Sequence, residues 1–132
     1  DGMILDTSFL IDVMEGARSA LAKVDEIEGD DMEQFVPAVT LQELYIGMGA
    51  SEIPERECRK IQTVVETRPI FPTSKAIARK AGRIDGQLRR DGWRINVGDA
   101  TIGATGIVRD EPVLTGDPDH FERIPGLDVV SY

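Results

Sequence analysis

Apolar residues run unbroken through Met3, Ile4 and Leu5, stop at Asp6, Thr7 and Ser8, and resume at Phe9, Leu10 and Ile11. A short unbroken apolar run predicts a strand buried on both faces. The polar break and the new apolar spacing after it predict a direct turn into a helix. Thr7 or Ser8 caps that helix, Phe9, Leu10, Val13 and Met14 form its apolar side, and Gly16 closes it after about Glu15. Leu21, Val24 and Ile27 repeat at helical spacing up to Gly29, predicting a second helix.

Phe35 to Val39 reads as strand two, and Thr40-Leu-Gln-Glu43 as the opening of a helix that lasts to Gly47 or Gly49. Residues 55 to 67 form a charged amphipathic helix, and Pro69 to Pro72 is short and proline-bound, as an edge strand is. The longest helix runs from Ser74 to about Asp91 along a stripe of Ile77, Ala81, Ile84 and Leu88. Beyond a loop with Trp93, Gly98-Asp99 opens a helix to about Arg109. Strands at Pro112 to Thr115 and Leu127 to Ser131 flank a turn at Gly116 to Asp119. Apolar strands alternating with helical crossovers predict an α/β fold, a parallel sheet covered by helices on both faces.

The 132 residues fit one domain with a full core, without repeat or linker, and Asp1-Gly2 read as an addition ahead of Met3. No apolar stretch approaches the ~18 residues that a membrane helix needs and no leader precedes the first strand, so a soluble, cytoplasmic protein is expected. The single Cys58 excludes an internal disulfide and a cysteine metal cage. The net charge of −9 is uneven, because residues 56 to 94 hold eleven Lys/Arg against four acids. Arginines outnumber lysines eleven to four, a bias compatible with a high-salt surface or with drift.

That placement brings four acids to one edge. Asp6 follows strand one, Glu43 lies early in the next helix, Asp99 starts the helix before strand four, and Asp117 follows strand four. Parallel strands finish on that edge, where ligands of open α/β sheets bind. Four bare carboxylates repel one another, and the remedies are raised pKa values or a divalent cation. Mg2+ or Mn2+ suits an all-oxygen set. Three of the acids have structural explanations as well: a Thr40–Glu43 capping box, an N-cap at Asp99, an Asx turn at Asp117. Asp6 is harder to explain so, because an acid ending the most apolar strand costs stability unless something satisfies it.

The stretches MILDTSFLIDVMEG, VPAVTLQELYIGM, INVGDATIGATGIV and VLTGDPDHFERIPGLDV resemble, in order and spacing, four blocks of PIN-domain ribonucleases, in particular VapC-type toxins of toxin–antitoxin pairs. The resemblance spans nearly the whole chain, down to the closing Thr-x-Asp-x-x-x-Phe pattern. It implies a PIN-like three-layer sandwich, with a five-stranded parallel sheet in the order 3-2-1-4-5. Asp6, Glu43, Asp99 and Asp117 become the Mg2+- or Mn2+-binding carboxylates of a metal-dependent endoribonuclease, supported by Thr7, Ser8 and Thr115. Asp119, two residues past Asp117, is a rival for its place. A VapB-like antitoxin, an RNA substrate and a homodimer are implied as partners.

Three other readings compete. A haloacid-dehalogenase-like phosphatase also starts with a strand ending in Asp, but needs an acid or Thr where Ser8 stands and a later lysine, and none follows Lys80. A response-regulator receiver needs an acid after strand three, where Phe71-Pro72 stand. A catalytically inactive binding module would keep the fold without needing four acids. Among single residues, His120 reads as an exposed turn residue or a base, and Trp93 as a core plug or a stacking platform. Gly82 and Gly86 mark either a close helix approach or mere tolerance. The basic block, with Arg89, Arg90 and Arg94, reads either as the surface that contacts RNA phosphates or as a solvated helix face. The apolar residues Phe9, Leu10, Val13 and Met14 on the first helix and Leu41, Leu44, Tyr45 and Met48 on the helix after strand two are either a groove for a partner's amphipathic helix or simply buried on two sides by their neighbours.

Overall fold

A computed structural model describes all residues, 1–132. The element order is β1 (Gly2–Leu5), α1 (Thr7–Met14), α2 (Arg18–Gly29), β2 (Glu33–Pro37), α3 (Ala38–Gly49), α4 (Pro54–Val65), β3 (Ile70–Phe71), α5 (Lys75–Arg90), α6 (Val97–Arg109), β4 (Val113–Leu114) and β5 (Val129–Val130). The five strands form one sheet in the order β3-β2-β1-β4-β5, every pair parallel. This is the α/β sandwich and the strand order expected.

Side chains alternate across β1, and the alternation divides the core. Met3 and Leu5 face one cluster with Phe9, Leu10, Ile27, Leu44, Ile61 and Val64, under α1 to α4. Ile4 faces the other with Ile77, Ile84, Leu88, Ile102 and Phe121, under α5 and α6. The chain leaves β1 toward β2 on one side and returns to β4 on the other, so the strand order reverses between β1 and β4. Ligands of such sheets bind at the carboxyl edge of that reversal. Asp6 closes β1 there.

Several boundaries differ from the expected ones. Helix α3 starts at Ala38, two residues before Thr40, because Pro37 ends β2 at φ −59° and serves as N-cap. Helix α6 begins at Val97, where Asn96 caps it by accepting the Gly98 amide on Oδ1 at 2.7 Å. Gly2 belongs to β1, in register with Glu33, and a Cβ there would lie 2.6 Å from Phe35 Cε2. Trp93 is no core plug, since it is 47% exposed. The Trp93 amide donates to the Leu88 carbonyl in the last turn of α5 at 2.8 Å, which holds the loop at the end of that helix.

Glycines separate into two kinds. Gly82 and Gly86, on the solvent side of α5, have nothing within 4 Å of an added Cβ, so tolerance is the correct reading for them. Gly106 on α6 would place a Cβ 2.9 Å from the Glu111 carbonyl and 2.9 Å from Leu127 Cδ1, and it holds α6 tight against β4. We therefore expect Gly82→Ala and Gly86→Ala each to stabilise by about 0.5–1 kcal/mol through helix propensity and loss of unfolded-state freedom. Gly106→Ala should cost about 1–3 kcal/mol through overpacking. Urea melts of the three single variants check the opposite signs.

Candidate metal and phosphodiester site

Asp6 is 4% exposed, and its backbone amide donates to the Leu114 carbonyl at 3.0 Å. A buried carboxylate is costly unless hydrogen-bonded. Both of its side-chain donors go to one oxygen: Ser8 Oγ and Thr115 Oγ1 each donate to Oδ2 at 2.7 Å. Each hydroxyl spends its single proton there and accepts a backbone amide in return, Gly116 N on Ser8 and Asp117 N on Thr115, both at 2.9 Å. The turn after β4 is thereby fastened to the turn after β1. Asp6 Oδ1 accepts no hydrogen bond from the protein.

Glu43 is brought in by α3. Thr7 Oγ1 donates to Glu43 Oε1 at 2.6 Å, and Oε2 lies against Gly98, where a Cβ would stand 2.5 Å from it. Asp99, one residue on in the first turn of α6, is half-buried. Its pKa is raised to about 6, first by burial, next by the Asp6 charge and then by Glu43 and Asp117, with His120 opposing. His120 Nδ1 lies 3.4 Å from Asp99 Oδ2 on an otherwise exposed ring. Asp117 is exposed at the rim, and it, not Asp119, is among the carboxylates that act on Asp99.

The structure thus brings Asp6, Glu43, Asp99 and Asp117 into one electrostatic neighbourhood. No three of the chain's Asp, Glu, His or Cys side chains close into a ligand cage. The donors in that neighbourhood are all carboxylate oxygens, the chemistry of a hard divalent cation. The structural explanations of the acids fail on geometry. Thr40 makes no capping box with Glu43; its buried hydroxyl donates to the Leu5 carbonyl at 3.1 Å. Asp99 is not an N-cap, and Asp117, although it precedes the 3-10 turn Pro118–His120, makes no side-chain cap bond.

Two participants carried no signal along the chain. Gly98 is needed because Glu43 occupies the space of its Cβ. Tyr132 donates to Asp12 Oδ2, and its hydroxyl rests against Gly116. Its pKa is raised by burial and by the Asp12 hydrogen bond, with smaller effects from Asp117 and Asp6. These pairings span 55 and 120 positions of chain, beyond any local pattern.

Cavities of different chemistry surround the acids. On the Glu43 side, about 250 Å3 is lined by Ile11, Met14, Leu44, Met48, Glu15, Glu57 and Lys60 among others. Met14 and Lys60 also line a neighbouring cavity of about 460 Å3 with Val13, Val64, Arg56, Arg59 and Arg68. On the Asp99 side, about 310 Å3 is lined by Arg94, Asn96, His120, Arg123 and Asp119 with Leu88 and Ile95. The basic block is therefore split. Arg89 pairs with Asp85 at 2.8 Å on the open face of α5, and of Arg89, Arg90 and Arg94 only Arg94 lines a cavity at the acids.

Residues 3–127 match the PIN domain family. The chain is 27% identical over 124 residues to the tRNA(fMet)-specific endonuclease VapC of Shigella flexneri, covering 94% of this chain and 92% of that protein. It is 29% identical to ribonuclease VapC19 of Mycobacterium tuberculosis, with coverages of 94% and 95%. The solved structure of VapBC2 from Rickettsia felis, bound to a DNA fragment from their promoter, matches with TM-score 0.92 at 19% identity, covering 100% of this chain and 99% of that one. VapBC-1 from nontypeable Haemophilus influenzae matches with TM-score 0.86 at 21% identity, with coverages of 99% and 98%. A match over nearly the whole chain, on a sheet of this order, makes the protein a member of the PIN-domain family.

Proposed function

We propose that this protein is a Mg2+- or Mn2+-dependent endoribonuclease of VapC type, the toxin of a type II toxin–antitoxin pair. It hydrolyses RNA phosphodiester bonds at Asp6, Glu43, Asp99 and Asp117. The observation that carries this is the meeting of Asp6, its Oδ1 free of protein hydrogen bonds, with Glu43 and Asp99 at the carboxyl edge of the sheet, in a chain that matches the PIN family over residues 3–127. Carboxylates that repel one another at close quarters form a site that a divalent cation completes. When bound, such a cation offsets charge growing on the phosphate oxygens and favours ionisation of the attacking water.

The chain's own groups then have distinct tasks. Asp6, locked by Ser8 and Thr115, and Asp99 are the principal ligands, with the free Oδ1 of Asp6 the oxygen available for that role. Glu43, held by Thr7, orients the water. Asp117, exposed at the rim, contributes through solvent. The protein acts in the cytoplasm as a homodimer, and a VapB-like antitoxin silences it. Support for that partner lies in the relatives named VapC, in the neighbours solved as VapBC complexes, and in the cavity that runs from Met14 and Met48 to Glu43. Phe9, Leu10 and Leu44 are core, Met14 and Met48 line that cavity while packing against the core, and Ile11, which also lines it, stays exposed. An amphipathic helix fits there, with a basic extension reaching the acids.

RNA cleavage should be abolished by EDTA and fall by more than about 100-fold in Asp6→Asn and Asp99→Asn, as expected when cation-dependent charge stabilisation is lost. Gel assays of purified protein with added Mg2+ read this; undiminished cleavage in EDTA would refute the mechanism.

Metal-free stability should depend on pH through Asp99. A carboxyl whose folded pKa lies above its unfolded value weakens the fold progressively as pH rises from about 4 to about 6, and by a constant amount above. After allowance for solvent screening, Asp99→Asn should melt as though stabilised by about 1–2 kcal/mol at pH 7.5 and by nothing at pH 4. A variant less stable at both pH values would make Asp99 a structural residue.

Met14→Glu with Met48→Glu should abolish antitoxin binding while folding and cleavage persist, as calorimetric titration and the gel assay would read. Collapse of the fold would place both residues in the core.

A further inference from the structure

The acid cluster opens on two sides, and the two sides differ in charge. With Glu43 set aside as one of the acids a cation would neutralise, the Glu43-side cavity offers a phosphate one lysine against two glutamates, and that Lys60 is already paired with Glu57 at 3.5 Å; Arg56, Arg59 and Arg68 beside it line a cavity that holds none of the four acids. The Asp99-side cavity offers two arginines, Arg94 and Arg123, against Asp99 and Asp119, with His120 beside Asp99. Asp99 is itself one of the acids a cation would neutralise, which leaves Asp119 as the only uncompensated carboxylate there. A polyanion approaching four carboxylates follows the side on which cations meet it.

A second observation concerns Arg123, one of the residues that line that cavity. The Arg123 guanidinium stands 3.3 Å above the centre of the Trp93 ring, and Trp93 remains 47% exposed. An indole stacked with a guanidinium and still open to solvent is a surface on which a nucleic-acid base stacks, whatever its identity. Neither residue contributes to the core, and the Trp93 amide is already used by the Leu88 carbonyl at 2.8 Å. The exposure of the pair therefore has no role in the packing.

We propose that single-stranded RNA crosses the acid site through the Asp99-side cavity. Arg94 and Arg123 bind the phosphate adjoining the one cleaved, and the base of that nucleotide stacks on the Trp93–Arg123 pair. The assignment rests on the ribonuclease reading above and adds the direction of the strand and the residues that position it. Arg94, Arg123 and Trp93 are positioning residues, because they act on RNA binding and not at the reacting atoms. Specificity among bases is weak at a stacking platform, so sequence preference arises elsewhere on the strand.

The test separates binding from cleavage. Fluorescein-labelled single-stranded RNA of mixed sequence is titrated, with Mg2+ at several salt concentrations, into the uncleaving Asp6→Asn protein and into the same protein carrying further substitutions. Arg94→Ala with Arg123→Ala should weaken binding about tenfold and flatten the logarithmic salt dependence by about 0.7 for each phosphate no longer neutralised. Trp93→Ala should weaken binding about tenfold with little change of slope, and Trp93→Tyr should retain it. Arg56→Ala with Arg59→Ala, on the opposite side of the acids, should change neither quantity. In the cleaving protein, the Arg94 and Arg123 variants should raise KM and leave kcat within about twofold. Unchanged affinity and slope in those variants, or an equal loss on removing Arg56 and Arg59, would overturn the proposed path. Absence of Mg2+-dependent cleavage by the unmodified protein would instead overturn the ribonuclease reading.

Discussion

A carboxylate buried at the end of the central strand is the constraint on which the rest of the site depends. Asp6 has almost no access to water, so its charge must be stabilised within the protein. Ser8 and Thr115 supply the two hydroxyl donors, and each accepts an amide from the turn after β4 in exchange. One network thus solves the desolvation of Asp6, fixes its rotamer and aligns two turns that are more than a hundred residues apart in the chain. It also directs Asp117 away from β4 toward the rim, because the Asp117 amide is held by Thr115.

The remaining acids arrive by closer packing. Glu43 is fastened to Thr7 and pressed on Gly98, which draws the start of α6, and Asp99 with it, toward the sheet edge. Small residues along α6 let that helix lie against β4 and the segment beyond; Gly103 and Gly106 have no room for a side chain. The crowding raises the Asp99 pKa, so the same packing that assembles the site also stores electrostatic tension in it. A fold of this size tolerates a local cost of that order only because two separate apolar clusters, one on each face of the sheet, hold the framework.

Charge elsewhere follows a division of labour across the sheet edge. Apolar and acidic groups with Lys60 line the cavity that holds Glu43, where Met14 and Met48 give an adaptable surface, while Arg94 and Arg123 line the cavity that holds Asp99; Arg56, Arg59 and Arg68 line a cavity that holds none of the four acids. A protein with net charge −9 can still receive a polyanion if its cations are concentrated beside the reacting centre, since screening limits the reach of the distant acids. The two faces therefore suit two different occupants of one site.

The sequence alone determined the class of fold and the placing of four acids at one edge of the sheet. The run Met3-Ile4-Leu5-Asp6 marks a buried strand that ends in a charge. The helical stripe of Ile77, Ala81, Ile84 and Leu88 is buried as its spacing predicts. Such features are local, a few residues long, and periodicity reports them directly. Tertiary structure alone decided what the acids touch. Thr40 reads along the chain as the partner of Glu43, yet it bonds to Leu5 while Thr7, from another helix, takes Glu43. Trp93 reads along the chain as either a core plug or a stacking platform, and the structure places it at the surface under Arg123. Asp12 meets Tyr132, and Gly98 makes room for Glu43, across separations that no window of sequence spans. Hydrogen-bond partners are chosen by proximity in the folded chain, and that proximity comes from the strand order and from the close seating of α6 on the sheet.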